Sequence, residues 1–302
     1  MVKYLEALKK GIVFGVNPVR WGPVFALDAV FFVLLVNLVF GAVSLQGLLG
    51  GAAVLAVIWF LLRVWVTGAL IHQTWRESET GKSWRVPYQR YLSILLVMII
   101  VIFINIIVGM VPLINMLLII LVGVAVFFSL QAVVIRKRNS VDALRESYSL
   151  FRKRMDRIVL WDNKFLGWVL IVAAMLCISV AFVSVFSYAI LGVVGGWIIF
   201  SFLAFMLFYS KVFRAWVAVS IVAGAISGLF AAPGLLWAFS STMANAHFFG
   251  GAAPLLSLLA NPHLLMLGGI VFIIGSSIAT AFSLKAQTEF YLQLRKKRFG
   301  LF

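Results

Sequence analysis

Two ionisable residues, Asp28 and Arg63, lie in stretches otherwise apolar enough to cross a bilayer. An isolated charge near mid-membrane costs ~2.5–3.5 kcal/mol on insertion scales. Opposite charges on neighbouring helices lower that cost by pairing, so an Asp28–Arg63 ion pair facing the bundle interior is expected. Such a pair can fix helix register, or it can line a polar pathway for a solute. Counted from the expected span ends at 1.5 Å per residue, both groups lie roughly 9–14 Å deep.

The other reactive residue types carry less. His72 is expected at the inner membrane edge beside Arg76. His247 and His263 are sixteen residues apart without carboxylates, short of the ligand number of a zinc site. The single cysteine, Cys177, excludes an internal disulfide and a cysteine-based metal cluster. No paired carboxylates within a span, Ser/His/Asp set or phosphate loop is present, so a non-enzymatic protein without cofactor or metal is expected. Asn37, Asn105, Asn115 and Gln131 are expected to make interhelical hydrogen bonds.

These residues must be positioned by membrane helices. Of 302 residues, 64% are hydrophobic and only 11% charged, and the mean hydropathy is +1.12. Soluble domains are ~45–50% apolar and ~25% charged, so the chain reads as a polytopic membrane protein. Stretches near 22–46, 49–72, 91–111, 113–135, 165–190, 194–210, 215–240 and 263–285 are apolar enough to span. The expected architecture is an all-α transmembrane bundle of about eight spans, with six as the alternative. It forms one integral domain over 1–302, in halves 1–135 and 165–302 joined by 136–164. Tight turns are expected at 46–51, 111–115 and 192–196, where Gly, Pro or Asn separates apolar runs.

With eight spans, the charged segments 1–20, 73–90, 136–164, 211–214 and 285–302 all fall on one side. The opposite loops, including 241–262, hold no charged residue. Basic loops stay inside, so both termini are expected in the cytoplasm of a cell whose plasma membrane holds the protein. The N-terminal segment lacks a cleavable-signal pattern, and insertion is expected to use the first span. The net charge of +16 is therefore read as a basic membrane-facing surface for anionic headgroups, not as a nucleic-acid site. Trp21, Trp75, Trp84, Trp161, Trp168 and Trp216 lie near expected boundaries, as an interfacial belt would.

Within 136–164, Ser140 is a candidate N-cap and Asp142 suits the first turn of a helix. Val141, Leu144, Tyr148, Phe151, Met155 and Ile158 follow at alternating steps of three and four, which predicts an amphipathic surface helix over about 140–160. Its basic face, with Arg145, Arg152, Lys153, Arg154 and Arg157 beside Tyr148, is a candidate surface for lipid or a protein partner. In the last two spans Gly224 and Gly228, with Gly275 opposite, predict close helix packing. Pro233 is expected to kink or end its helix.

The stretch SVDALRESYSLFRKRMDRIV, through Ala143, Leu144, Ser147, Leu150 and Arg152, resembles the segment after the fourth span in a broad group of uncharacterised prokaryotic membrane proteins. These are the DUF4013-type and YciC-like proteins and the membrane domain attached to some glycerophosphodiester phosphodiesterases. The entry GIVFGVNPVRWGPVF is similar to theirs. The resemblance implies a prokaryotic helical membrane domain and carries no activity with it. The expected function is an accessory or structural membrane subunit that docks partners or lipids through its basic face. The alternative is a transporter or channel for a small or lipid-like solute that uses the Asp28–Arg63 pair.

Overall fold

The computed structural model describes residues 3–41, 44–110, 122–153, 211–245 and 262–296. Every regular element among them is an α-helix. In chain order these are α1 (Tyr4–Val16), α2 (Pro18–Gly41), α3 (Leu45–Trp75), the single turn α4 (Thr80–Ser83), α5 (Arg85–Gly109), α6 (Ser129–Arg136), α7 (Ser140–Lys153), α8 (Lys211–Asn245) and α9 (Pro262–Lys296).

Five described segments are long and apolar enough to cross a membrane: Pro18–Gly41, Gln46–Trp75, Gly81–Val108, Lys211–Phe230 and Met266–Arg295. Of the expected span at 113–135, residues 113–121 lie outside the described residues, and the rest belongs to the shorter apolar helix Val122–Arg136, interrupted by a turn at Phe127–Phe128. The expected spans at 165–190 and 194–210, and the turns at 111–115 and 192–196, lie outside the described residues.

Local chemistry sets the boundaries. Asn17 ends α1 in an extended conformation, as a residue before proline prefers. Its side-chain oxygen accepts from Val19 N–H, and Pro18 opens α2 where no amide donor is needed. The helix α2 ends at Gly41 and α3 already begins at Leu45, ahead of the turn expected at 46–51. Ser44 is the N-cap of α3 and accepts from Gly47 N–H at 3.1 Å, so Gly47, Gly50 and Gly51 lie inside the helix. Because α2 starts at Pro18 and α3 runs on to Trp75, Asp28 lies about 15 Å and Arg63 about 18 Å from those helix ends. That is deeper than the apolar runs alone suggested. The helix α8 continues through Pro233 to Asn245, so the proline does not end it.

The core is built on α9, which packs against α1, α2, α3 and α8. Phenylalanines from three sides close onto glycines there. Phe282 of α9 lies over Gly11 and Gly15 of α1, Phe32 of α2 over Gly269, and Phe230 of α8 over Gly275. By contrast, α2 and α5 are largely uncovered, with Val30, Leu34, Phe40, Leu96, Ile102 and Phe103 exposed. Apolar surface on that scale suits hydrocarbon rather than water.

The described charged segments meet at one end of the bundle, here called the basic pole. Lys3 N–H donates to Gln293 Oε1, Tyr4 Oη to the Lys211 carbonyl, Arg20 Nη2 to the Glu77 carbonyl and Tyr291 Oη to Glu146.

Candidate functional site

A cleft of about 670 Å³ opens at the basic pole between α1, the end of α3 and α9. The helix α1 lines it with Glu6, Lys10 and Phe14 at i, i+4, i+8 spacing and with a second row of Lys9 and Val13, continued past the helix end by the extended Asn17. Arg20, Glu77, Lys285 and Glu289 complete it. Lys285 is the buried anchor, only 6% exposed. Its Nζ lies 2.6 Å from Glu77 and 2.8 Å from Glu289, and it donates to the Thr74 carbonyl at 2.9 Å. Three acceptors satisfy all three ammonium donors, which is what a lysine out of water requires.

Nearer solvent, Lys10 bridges Glu6 and Glu289, each at 3.3 Å. The charge and then the hydrogen bond of Glu289 raise the Lys10 pKa above its ordinary value. Hydrogen bonds from Lys3 and Lys10 hold the Glu6 carboxyl below its ordinary value. Lys9 is exposed and has no polar partner among the described residues. Sequence reading assigned 1–20, 73–90 and 285–302 to one side but did not join them into a cleft. The available signal was Lys285 and Glu289, an i,i+4 pair where the last apolar run ends.

Deeper in the bundle, the structure brings Asp28 and Arg63 together. Arg63 Nη1 lies 2.5 Å from Asp28 Oδ2, and both side chains are about one-sixth exposed. The second carboxylate oxygen accepts from Trp59 Nε1 at 2.9 Å, and Arg63 Nη2 donates to Thr280 Oγ1 at 3.3 Å. The pair thus ties α2, α3 and α9 together, with the Arg63 guanidinium also 5.9 Å from the Trp59 ring centroid. Neither residue lines the basic-pole cleft.

The helix α7 is rotated relative to the expected stripe. Ala143, Ser147, Leu150 and Phe151 are buried, whereas Val141 and Tyr148 are more than half exposed. Ser140 does not act as the N-cap: its hydroxyl donates to the Ser93 carbonyl of α5, and the Asn139 carbonyl takes the first helical bond, from Ala143. Small residues let α7 sit close to its neighbours, and Ser147 bridges Ala125 O and Phe128 N–H at the turn inside Val122–Arg136. The larger cost that selects this face is the charge on Glu146, only 8% exposed. Its carboxylate takes Arg136 at 3.1 Å, Arg138 at 3.7 Å and Tyr291 Oη at 2.8 Å. Arg145, Tyr148 and Arg152 share the outer face, the side chain of Lys153 is not described, and Arg154 and Arg157 lie outside the described residues.

Other expected contacts change partner. Asn37 and Asn105 each donate to the carbonyl four residues earlier in their own helix, the cheapest satisfaction for a short amide, instead of bridging helices. Gln131 does bridge, donating to Gln287 at 2.8 Å. His72 is buried, with Nδ1 2.9 Å from Ser83 Oγ, because α4 folds back over it. Gly224 and Gly228 face outward, and no described atom lies within 4 Å of a Cβ built there. The helix α8 meets α9 by seating Phe230 on Gly275, a large residue on a small one. Asn115, Cys177 and His247 lie outside the described residues, and the side chain of His263 is not described. No group of three His, Cys, Asp or Glu that could hold a metal occurs among the described residues.

Comparison with protein-family models, with curated proteins and with solved structures finds no match to this chain.

Proposed function

We propose that this is a non-enzymatic integral membrane protein, an accessory or structural subunit that docks a partner protein or anionic lipid through its basic pole. One observation carries the reading: at that pole Lys9, Lys82, Arg85, Arg145 and Arg152 are exposed, with no ion pair among the described residues. Cations held for internal stability are paired, as Lys285 and Arg136 are. Cations left solvated beside a bilayer gain ~1 kcal/mol each from anionic headgroups.

The same reading places the basic pole in the cytoplasm of a prokaryotic plasma membrane, in line with the basic-loop rule and the family resemblance. It also takes the crossings as eight. The described flanks of 154–210, namely α7 and the start of α8, pack together at the basic pole. Two crossings between them satisfy that closure, and a completed 113–135 span supplies the remaining one.

Native extraction with mass spectrometry of co-purifying proteins and lipids tests the proposal. The expected result is a stoichiometric protein that cross-links to residues 140–153, or anionic lipid retained above its abundance in the membrane. A chain that purifies alone, without selected lipid, refutes it. The transport alternative has weaker support, since the Asp28 and Arg63 groups are engaged by each other, Trp59 and Thr280. Solute flux in vesicles that is lost in Asp28→Asn would restore it.

A further inference from the structure

We propose that the cleft between α1, α3 and α9 is a headgroup site for one anionic glycerophospholipid, which binds the phosphodiester and lets the acyl chains leave along Val13, Val16 and Val19. The proposal rests on the membrane reading above and narrows its lipid arm from a diffuse surface to a site.

Depth is the first argument. The apolar segment Met266–Arg295 has 30 residues, about 45 Å of helix, whereas a hydrocarbon core of ~30 Å takes up ~20 residues. Counted from Met266, the hydrocarbon ends near Lys285, which puts the cleft at headgroup level.

Charge is the second. The cleft holds four cations, Lys9, Lys10, Arg20 and Lys285, against three carboxylates, Glu6, Glu77 and Glu289, an excess of one positive charge. The inner lysines are held: Lys285 by Glu77 and Glu289, and Lys10 by Glu6 and Glu289. Arg20 is engaged by Gln73 Oε1 and the Glu77 carbonyl, which leaves Lys9 as the cleft cation without a polar partner among the described residues, on the row that also carries Asn17 with its amide donors. A phosphodiester carries one negative charge and only acceptor oxygens, so it matches that row. An added ammonium would compete for carboxylates that already hold lysines, which disfavours ethanolamine and choline headgroups.

Shape is the third. The volume is ligand-sized. Val13, on the cleft wall, is 68% exposed, and the chain leads from it to Val16 and Val19, 64% and 66% exposed. A water-soluble phosphodiester leaves these three valines in water, whereas a lipid covers them.

The test uses the full-length protein in detergent, titrated with phosphatidylglycerol, phosphatidylcholine or soluble glycerophosphoglycerol and read by native mass spectrometry. Wild type should retain one phosphatidylglycerol per chain and bind phosphatidylcholine at least tenfold more weakly. Lys9→Glu should weaken phosphatidylglycerol about tenfold without changing the lipid-free melting temperature, and Lys9→Gln should weaken it less. Val13→Ser should weaken the lipid but not glycerophosphoglycerol. Arg145→Glu, on the outer face of α7, should leave the tight site intact.

If Lys9→Glu has no effect and Arg145→Glu removes the lipid, the cleft is not the site, although the docking reading survives. If phosphatidylglycerol is not preferred at all, the cleft proposal falls together with the lipid arm of that reading, and only the protein-partner arm remains. If glycerophosphoglycerol binds as tightly as the lipid, a soluble phosphodiester is the ligand and the lipid assignment is overturned.

Discussion

The mid-depth pair and the basic-pole cluster solve the same problem in opposite ways. Asp28 and Arg63 balance one to one, and neutral donors or acceptors, Trp59 and Thr280, take up the remaining valences. At the pole, charges chain together from Glu77 through Lys285, Glu289 and Lys10 to Glu6, and an unmatched cation remains. The difference follows the solvent. Where no water reaches, each charge must be cancelled within the protein; where headgroups and water lie close, an excess is tolerated and can be used.

The strongest way to break this comparison is Arg63→Met. It leaves Asp28 buried without its counter-charge and should cost about 3 kcal/mol of stability, seen as a large drop in melting temperature in detergent. Adding Asp28→Leu to Arg63→Met should recover most of the loss. Equal stability of wild type and the Arg63→Met single variant would mean that the pair is not held as described. Next comes Glu146→Gln, which removes the charge that gathers Arg136, Arg138 and Tyr291. About 2 kcal/mol is expected by thermal melting, against about 1 kcal/mol for Tyr291→Phe.

Smaller again is Gly275→Val, which meets the Phe230 side chain and should cost roughly 1–2 kcal/mol, whereas Gly224→Val should lie within about 0.5 kcal/mol of wild type. Reversed rankings would place the α8–α9 contact on the other face of α8. The smallest effect belongs to Glu6. Its folded pKa is depressed, so its contribution is full above the ordinary carboxylate pKa and fades as pH falls through the depressed value. Glu6→Gln should lower the melting temperature slightly at neutral pH, and the difference from wild type should close in acid as the Glu6 carboxyl is protonated. Salt should blunt even that, since the group is exposed.

How far the sequence could be read follows the same division by solvent. The all-helical class, five of the spans and the two charges that needed each other were legible, because in hydrocarbon every deviation from apolar is expensive and stands out. The gathering of charged segments at one end was legible for the same reason. At the pole that contrast is lost. Glu146 looks like any other charge on a basic helix, and the choice of Ala143, Ser147 and Leu150 over Val141 and Tyr148 as the inner face depends on neighbours far along the chain. The Gly224 and Gly228 spacing suggested a contact that α8 does not make there, since small residues permit close approach without demanding it. The cleft needed three segments separated by about 280 residues, and no local pattern encodes that meeting.

The three phenylalanine seats on and around α9 have a mechanical consequence. Gly269, Gly275 and Phe282 lie within about 20 Å along one axis and are engaged by α2, α8 and α1 respectively. To spin or slide this rod, all three knobs would have to leave their sockets together. A shift of one turn would bring Leu265 or Ile273 to Phe32 and Val271 or Ala279 to Phe230, each with a β-carbon where the glycine leaves none, so no neighbouring register reproduces the seats. The assembly therefore behaves as a keyed shaft. It fixes α1, α2 and α8 to α9 in one register, while α5 packs on α3 and α6 outside the keyed set.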